Sequence, residues 1–303
     1  MLRQVLLTGA YRYTEKQFHL IEELGWEITY VENELERLDI SVEPFEAVVC
    51  NGLFLHNDIA DFKNLRMVQA TSAGLERLPI RYMEKHHILY YNARGVYSIP
   101  MAEWAVMCIL EIYKKAPAFF LKQQKKCWEK ERSLLELTDR KVCIVGYGSV
   151  GREISKRLAA FGTKIMAVNR TRIEDNIIHK WVPLSCIDEV LPEMDIVILC
   201  IALTEETKKL LNADRLGIMK QESTLVNVSR GQVLDEKALI QQLKDGKFRG
   251  VALDVFEKEP LPQENALWEI PRVIISPHNS FLGDKVKERM FGMIYKNLKN
   301  MKV

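Results

Sequence analysis

A glycine-rich turn that follows a short apolar run constrains this chain more than any other feature. The apolar run at 141–146 leads into the turn, and residues 152–162 favour a helix. In a strand–turn–helix context these glycines permit a tight turn, close approach of a pyrophosphate and close helix–strand packing. The helix N-terminus then offers its partial positive charge to the phosphates. The sequence predicts a dinucleotide-binding turn, with a ligand-free structural turn as the alternative, over Gly146, Tyr147, Gly148, Ser149, Val150 and Gly151.

Short apolar strands alternate with helical segments on both sides of this turn. Helices are predicted at 15–24, 204–212, 235–246 and 285–298. The strand–loop–helix order predicts parallel sheets covered by helices on both faces. We therefore expect an α/β fold of two doubly wound domains, with strands at 4–8, 47–50, 65–70, 87–91, 141–146, 164–169, 195–200, 224–229, 250–254 and 273–276.

Residues 100–131 interrupt the alternation. Two helix-favouring blocks, 101–115 and 118–131, are separated by Pro117 and read as a connecting arm. Their apolar residues exceed what one helix face needs, so the arm is either an ordinary buried helix or a surface that packs on a second copy of the chain. The second interpretation predicts a homodimer, and it rests on Trp104, Met107, Cys108, Leu110, Ile112, Phe119, Phe120 and Trp128.

Composition excludes several classes of function. The 303 residues suit two domains, and 43 Lys+Arg against 41 Asp+Glu leave a net charge of +2, too small to hold nucleic acid or an anionic membrane. No run approaches the roughly 18 apolar residues of a spanning helix. The six cysteines lack CxxC spacing, so we expect them to be reduced thiols. The spacing of the histidines is not that of metal ligands. We expect a cytoplasmic protein without a metal.

The end of the strand at 164–169 bears on the choice of dinucleotide. An acidic residue there would bind both ribose hydroxyls and repel a 2′-phosphate, but this chain has Asn169. Arg170 and Arg172, on either side of Thr171, add positive charge beside it. The segment favours NADPH, with NAD possible; the alternative is that both arginines are solvated loop residues.

Four polar residues follow apolar strands late in the chain. Arg230, Asp254, Glu259 and His278 come after the strands at 224–229, 250–254 and 273–276. Carboxyl ends of parallel strands share one edge, where doubly wound folds bind ligands. Three of these residues also have a plainer interpretation: a structural ion pair for Arg230, an exposed acid for Glu259 and a strand cap for His278.

With these motifs in order, the chain resembles the D-isomer-specific 2-hydroxyacid dehydrogenases, the family of glyoxylate/hydroxypyruvate, phosphoglycerate, lactate and formate enzymes. The resemblance covers nearly the whole chain through GYGSVG, NVSRG, ALDVFEKEPLP and SPH, with TSAGLERLP and NARGVYSIPMAEWAV earlier. It implies a Rossmann cofactor domain, 100–283, inserted into a flavodoxin-like substrate domain, 1–99 with 284–303. Substrate is then expected in the cleft between the domains.

The resemblance also implies roles for the late residues. Arg230 would bind the substrate carboxylate and polarise its keto oxygen, because a guanidinium matches a carboxylate bidentately. His278 would donate a proton to the carbonyl oxygen as hydride arrives, or accept it in the reverse reaction. Glu259 would pair with His278, favour the imidazolium form and fix the ring. Asp254 would contact the nicotinamide carboxamide, and Val228 and Ser229 would line the cofactor site.

On the substrate side, the loop with Ala73 and Gly74 resembles the family loop whose backbone N–H groups bind the substrate carboxylate. Glycine at 74 also fits plain turn formation. The loop 51–55, with Phe54, is expected to touch the substrate side chain.

The resemblance implies an NADPH-dependent reductase that converts a small 2-oxoacid to a D-2-hydroxyacid. One alternative is an NAD-dependent phosphoglycerate-type dehydrogenase, disfavoured by Asn169; with the chain ending at Val303, no regulatory extension is expected. The other is a dinucleotide-sensing, corepressor-like regulator. One departure from the family pattern is Asn279-Ser280-Phe281, where relatives often have glycines, and it leaves the pocket lining open.

Overall fold

The computed structural model describes residues 3–301 and divides the chain into two compact units. The first comprises the described residues up to Tyr97 and from Gly283 onward, and the second is Ser98–Leu282. These limits differ by one or two residues from the expected limits at 99/100 and 283/284. Residues 1, 2, 302 and 303, which the predicted first domain also included, lie outside the described residues.

The first unit contains a parallel sheet of five described strands, of which the central three are mostly buried. Its order, β2-β1-β3-β4-β5, is the flavodoxin-like one, with a switch between β1 and β3. The helices are α1 (Glu15–Glu22), α2 (Ile80–Lys85) and a C-terminal helix (Val286–Asn300). A capping box between Thr14 and Gln17 starts α1. The described strands are β1 (Arg3–Thr8), β2 (Trp26–Val31), β3 (Phe45–Cys50), β4 (Met67–Ala70) and β5 (Leu89–Tyr91).

The second unit contains a parallel sheet of order β12-β11-β10-β9-β6-β7-β8, a Rossmann order in which the strand sequence reverses between β6 and β9. Its described strands are β6 (Lys141–Val145), β7 (Lys164–Asn169), β8 (Lys180–Pro183), β9 (Ile196–Leu199), β10 (Ser223–Asn227), β11 (Phe248–Leu253) and β12 (Val273–Ile275). Its helices are α3 (Ser98–Lys114), α4 (Ala116–Gln124), α5 (Ser149–Ala159), α6 (Ile187–Val190), α7 (Ala213–Ile218) and α8 (Glu236–Lys244), and the C-terminal helix is α9.

Hydrophobic clusters cover both faces of the second sheet. β9 is buried along its whole length, since Ile196 and Ile198 face one cluster while Val197 and Leu199 face the other. This burial explains the continuous apolar runs that predicted these strands. The expected α/β fold of two parallel sheets is confirmed.

The prediction of a helix over 204–212 is wrong. This segment is a turn in which the Thr207 hydroxyl donates to the Ala202 carbonyl oxygen at 2.7 Å, and the Thr204 N–H donates back to that hydroxyl at 2.8 Å. Threonine side chains that bind nearby backbone compete with helix formation. The helix starts later, at α7, where the Asn212 side chain caps the Arg215 N–H.

The limits of the two helices in the arm also differ from the predicted ones. Pro117 lies in the first turn of α4, where a missing N–H is tolerated, and the break between the helices falls at Lys115, whose φ is +51°. Helix α4 ends at Gln124, so residues 125–131 are not helical. Within residues 3–301, no helix has the length and apolar character needed to cross a membrane.

Candidate active site

The glycine turn lies at the carboxyl end of β6, beside the reversal of strand order. Gly146 has a φ of +94°, and a Cβ there would come within 2.6 Å of the Ile201 Cα. A Cβ on Gly151 would lie 2.4 Å from the Gly146 carbonyl oxygen. Both positions therefore require glycine, one for its conformation and one for close helix–strand packing.

Helix α5 begins directly after this turn, at Ser149. Its N-cap residue is Gly148, and no side-chain hydrogen bond caps the helix. Gly148, Ser149, Val150 and Gly151 therefore present backbone rather than side chains at the helix N-terminus, where N–H groups suit an anion. The backbone cradle and the absence of a capping side chain fit the pyrophosphate of a dinucleotide.

Asn169 connects the glycine turn to the loop after β7. Its Oδ1 accepts from the Tyr147 N–H at 3.4 Å, while its Nδ2 donates to the Thr171 carbonyl oxygen and hydroxyl at 3.1 and 2.9 Å. Arg170 is exposed and lies 3.8 Å from Glu206, and Arg172, 79% exposed, lies 3.9 Å from Glu174. The loop thus presents two exposed guanidinium groups, each in a weak surface ion pair.

A hydrogen-bonded network beneath the turn was not anticipated from the sequence. The Tyr147 hydroxyl lies 2.8 Å from the Ser155 Oγ and donates to Asp175 Oδ2 at 3.1 Å. Arg152 donates to the same oxygen at 2.8 Å. A hydrogen bond from the Ile177 N–H, with those from Tyr147 and Arg152, outweighs partial burial and lowers the pKa of Asp175. The network ties the first turn of α5 to the loop after β7.

The segment after β10 is fixed by Asn227, which is fully buried. Asn227 Oδ1 accepts from the Ser229 N–H at 3.0 Å and from its hydroxyl at 2.7 Å, and Nδ2 donates to the Arg230 carbonyl oxygen at 3.2 Å. Val228 and Ser229 are buried, and Arg230 Nη1 donates to the Ser229 carbonyl oxygen at 2.8 Å. A Cβ on Gly231 would overlap the Phe256 backbone, so this segment packs directly on the one after β11.

Glu259 and His278 form a bonded pair. His278 Nδ1 lies 2.8 Å from Glu259 Oε2, while Glu259 Oε1 accepts from the Phe256 N–H at 3.0 Å. Both side chains are more than a third exposed. With Nδ1 on the carboxylate, the other ring nitrogen, Nε2, is left to serve a ligand, which is the arrangement a proton donor needs.

Asp254 is 1% exposed and binds the segment that carries His278. Its Oδ1 accepts from the Ser276 hydroxyl at 2.5 Å, the Asn279 N–H at 2.6 Å and the Ser280 N–H at 3.0 Å. Its Oδ2 accepts from the Ser280 N–H at 3.1 Å and the Ser280 hydroxyl at 2.5 Å. The expected contact of Asp254 with a nicotinamide carboxamide stays a prediction.

In the first unit, the loop after β4 is held by side chains. Asn92 Nδ2 donates to the Ala73 carbonyl oxygen at 2.7 Å, and the Ser72 hydroxyl donates to the Gly74 carbonyl oxygen at 2.8 Å. A Cβ on Gly74 would lie 2.0 Å from Glu76 Oε2. The Glu76 carboxylate therefore lies where a side chain at 74 would be.

The neighbouring loop after β3 is bound by a buried acid that sequence reasoning missed. Glu34 Oε2 accepts from the Thr8 hydroxyl at 2.5 Å, and Glu34 Oε1 accepts from the N–H groups of Asn51 and Gly52 at 3.1 and 2.5 Å. Cys50 pairs with Ala70 in the sheet, so the loops 51–55 and 71–74 leave the same edge side by side. Three acids within 32–36 gave the sequence no means of singling out Glu34.

The second unit thus brings the catalytic candidates into adjacent segments at the carboxyl edge of its sheet. Arg230 follows β10, Glu259 follows β11, and His278 follows β12, three neighbouring strands. In the described chain, no three His, Cys, Asp or Glu side chains are grouped as a metal site would require. The arrangement places a guanidinium group on the same sheet edge as a carboxylate–imidazole pair.

Comparison with known proteins defines the class. Residues 106–280 match the family model described as D-isomer specific 2-hydroxyacid dehydrogenase, NAD binding domain. The chain belongs to the D-isomer specific 2-hydroxyacid dehydrogenase family, as its motifs predicted, and is an oxidoreductase that uses a nicotinamide dinucleotide.

Individual relatives cover most of the chain. Glyoxylate reductase of Pyrococcus furiosus is 32% identical over 295 residues, which are 92% of this chain and 86% of that protein. D-3-phosphoglycerate dehydrogenase of Bacillus subtilis is 31% identical over 88% of this chain but only 50% of its own length. The NADPH-dependent glyoxylate/hydroxypyruvate reductase of Sinorhizobium meliloti, solved with NADP and malonate, has a TM-score of 0.79 and 25% identity, covering 99% and 93% of the two chains.

Proposed function

We propose that this protein reduces a small 2-oxoacid, such as glyoxylate or hydroxypyruvate, to the D-2-hydroxyacid with NADPH. The observation that carries the proposal is the His278–Glu259 pair, 2.8 Å apart, on the strand edge that also carries Arg230. Bound at the glycine turn, the reduced dinucleotide supplies a hydride. The chain's own residues must then bind the oxoacid, hold it and provide a proton.

Arg230 binds the substrate carboxylate in this proposal, because its planar guanidinium stays charged and can hold two carboxylate oxygens at once. His278 gives a proton from Nε2 to the carbonyl oxygen that becomes the hydroxyl. Glu259 bonds Nδ1 and so fixes both the tautomer and the direction of Nε2. In the oxidative direction the same nitrogen accepts the hydroxyl proton.

For the first unit, we assign substrate binding to Ala73 and Gly74. The hydrogen bonds from Ser72 and Asn92 fix the carbonyl oxygens of this loop and therefore its backbone. A loop with fixed backbone can direct N–H groups at a carboxylate. The loop 51–55, fixed by Glu34, is assigned to the substrate side chain.

The preference for NADPH rests on the loop after β7. Asn169 brings no negative charge to the ribose, and Arg170 and Arg172 are exposed beside it. Thr171, bonded to Asn169, fixes the loop that carries both arginines. The proposal assigns these four residues to the 2′-phosphoribose, Gly146, Gly148, Ser149, Val150 and Gly151 to the pyrophosphate, and Val228 and Ser229 to the nicotinamide end.

We further propose a cytoplasmic homodimer formed through the arm. In the arm, Trp128 is 99% and Phe120 60% exposed, and Phe119 and Leu121 are also exposed. Large contiguous apolar surface is typical of an interface. The six cysteines are free thiols, as in a reducing compartment.

The function is tested by following NADPH absorbance with glyoxylate, hydroxypyruvate and larger 2-oxoacids, with NADH and 3-phosphohydroxypyruvate as a separate arm. We expect turnover with NADPH and at least one unphosphorylated oxoacid. The Bacillus subtilis relative motivates the phosphorylated arm. Turnover confined to that arm would favour a phosphoglycerate-type dehydrogenase. NADPH binding without turnover on any oxoacid would favour a dinucleotide-sensing regulator.

A further inference from the structure

One buried carboxylate binds nearly every residue around His278. Across the five residues 276–280, Asp254 accepts from Ser276, Asn279 and Ser280 through its side chain and from the His278 N–H, at 2.8 Å, through its carbonyl oxygen. The fifth residue, Pro277, has no N–H to donate. We propose that Ser276 and Ser280 are positioning residues that hold His278 in place through Asp254.

The acceptor capacity of Asp254 is used within the protein. A carboxylate offers about four lone-pair sites. Four donor groups occupy them: the two serine hydroxyls and the N–H groups of Asn279 and Ser280. At 1% exposure, water has almost no access to these oxygens. Asp254 therefore holds the segment that carries the histidine.

His278 needs this support because its own backbone is strained. Its φ is +50°, in the left-handed region that few residues other than glycine adopt. Such a conformation persists only where the surroundings hold it. Glu259 fixes the imidazole at Nδ1, and Asp254 fixes the backbone on either side of the residue. Together they set the position of Nε2.

The two hydroxyls are the part of this arrangement that depends on side-chain identity. An alanine or glycine at 280 would keep the N–H donor but lose the 2.5 Å bond to Asp254 Oδ2. An alanine at 276 would lose the 2.5 Å bond to Oδ1. Either change leaves a buried carboxylate oxygen short of a donor, and the segment must shift to restore one.

The kinetic experiment rests on the proposed function and compares Ser280→Ala, Ser276→Ala, Ser276→Thr and Asp254→Asn with the wild type, using NADPH and the best oxoacid. A misplacement of about 1 Å costs on the order of 10²-fold in rate. We expect kcat to fall by about 10²-fold in Asp254→Asn and about tenfold in each serine-to-alanine variant. In the serine-to-alanine variants, KM for the oxoacid and Kd for NADPH should change less than about twofold, and Ser276→Thr, which keeps the hydroxyl, should keep kcat near the wild-type value.

A double variant tests whether Ser280 acts through Asp254 or independently of it. Ser280→Ala combined with Asp254→Asn should be no slower than Asp254→Asn alone, because the serine acts through the aspartate. Ser133→Ala is the matched control, since Ser133 also donates to a carboxylate at 2.5 Å, that of Glu131 in the arm. The inference is overturned if Ser280→Ala keeps its kcat, if the two losses multiply, or if the serine variants lose NADPH affinity instead of kcat.

Hydrogen exchange tests the same inference without turnover. We expect faster amide exchange in the peptide 276–282 of Ser280→Ala and of Ser276→Ala than in the wild type, with no change in Ser133→Ala. Equal exchange in all four proteins would refute the inference whatever the substrate. Failure of the wild type to reduce any oxoacid would instead count against the proposed function.

Discussion

At the scale of single residues, Asn169 determines what the end of β7 presents to a ligand. It ties the Tyr147 N–H to Thr171 and so fixes the loop, but it adds no charge. Arg170 and Arg172 lie beside it in surface ion pairs of 3.8 and 3.9 Å. Exposed pairs of this kind are worth about 0–1 kcal/mol, so a phosphate can displace the acids readily.

Replacement of both arginines tests the proposed preference for NADPH. In Arg170→Ala/Arg172→Ala we expect KM for NADPH to rise roughly 10- to 100-fold, because two exposed guanidinium groups together contribute about 1.4–2.8 kcal/mol of binding free energy. KM for NADH should stay within about threefold, since NADH has no 2′-phosphate. Steady-state kinetics with both dinucleotides provide the measurement. The control is Arg37→Ala/Arg81→Ala, which replaces two exposed arginines of the first unit. If the ratio of KM for NADPH to KM for NADH is the same in Arg170→Ala/Arg172→Ala as in the wild type, the preference is refuted.

The Glu259–His278 pair makes a second prediction at this scale. Glu259→Gln keeps the shape of the side chain but removes the charge that holds the imidazole, so kcat should fall by about 10²-fold. KM for the oxoacid should change only a few-fold, because the carboxylate does not contact the substrate in the proposed arrangement. Glu257→Gln is the control, since the Glu257 side chain accepts from the Glu236 N–H rather than from the histidine. Equal kcat values in the two variants would contradict the proposed role.

At the scale of elements, Asp175 connects α5 to the loop after β7, and its lowered pKa makes that link sensitive to acid. A carboxyl group whose folded pKa lies below its unfolded value, about 3.9 for Asp, stabilises the fold above that value. The stabilisation is lost as the pH falls through the folded pKa.

We therefore expect Asp175→Asn to lower stability at pH 7 by about 0.5–1 kcal/mol, which is a Tm shift of roughly 1–4 °C for a unit of this size. The difference from wild type should shrink as the pH falls below about 3.9 and through the lowered folded pKa of Asp175. Thermal melts over this pH range measure it. Asp139→Asn, at a 73% exposed side chain paired with Lys164, should change Tm by less than about 1 °C. A pH-independent difference for Asp175→Asn would refute the link.

Elements with a strong hydrophobic pattern could be predicted from the sequence. Segments in which side chains bind the backbone in place of helical hydrogen bonds could not. The strand predicted at 164–169 has those limits in the structure, because its apolar run is buried in the sheet. The segment 204–212 has good helix formers, yet the Thr204 and Thr207 hydroxyls close a turn there. Strand β2 and strand β8 were missed because their apolar and polar residues alternate only partly and each lies at a sheet edge.

At the scale of the whole molecule, the exposed aromatic residues of the arm predict that two copies of the chain form a dimer. Light scattering coupled to size exclusion should give about 70 kDa, twice 35.1 kDa. Phe120→Ser/Trp128→Ser should raise the dimer Kd by about 10²-fold or more, since truncating an interface aromatic costs about 2 kcal/mol or more. Trp268→Ser, another exposed tryptophan, is the control. A wild-type mass near 35 kDa at all concentrations would refute the homodimer.

The sequence by itself determined the α/β class, the dinucleotide turn and the identity of the catalytic candidates. These features depend on local pattern, such as apolar runs, glycine spacing and ordered motifs, which chain order alone carries. Only the tertiary structure decided that Asp254, Asn227 and Glu34 bind the segments that carry or neighbour those candidates. The hydrogen-bond partners of these three side chains lie 2 to 26 positions away along the chain, and for Asp254 and Glu34 only the packing of distant segments brings them within reach.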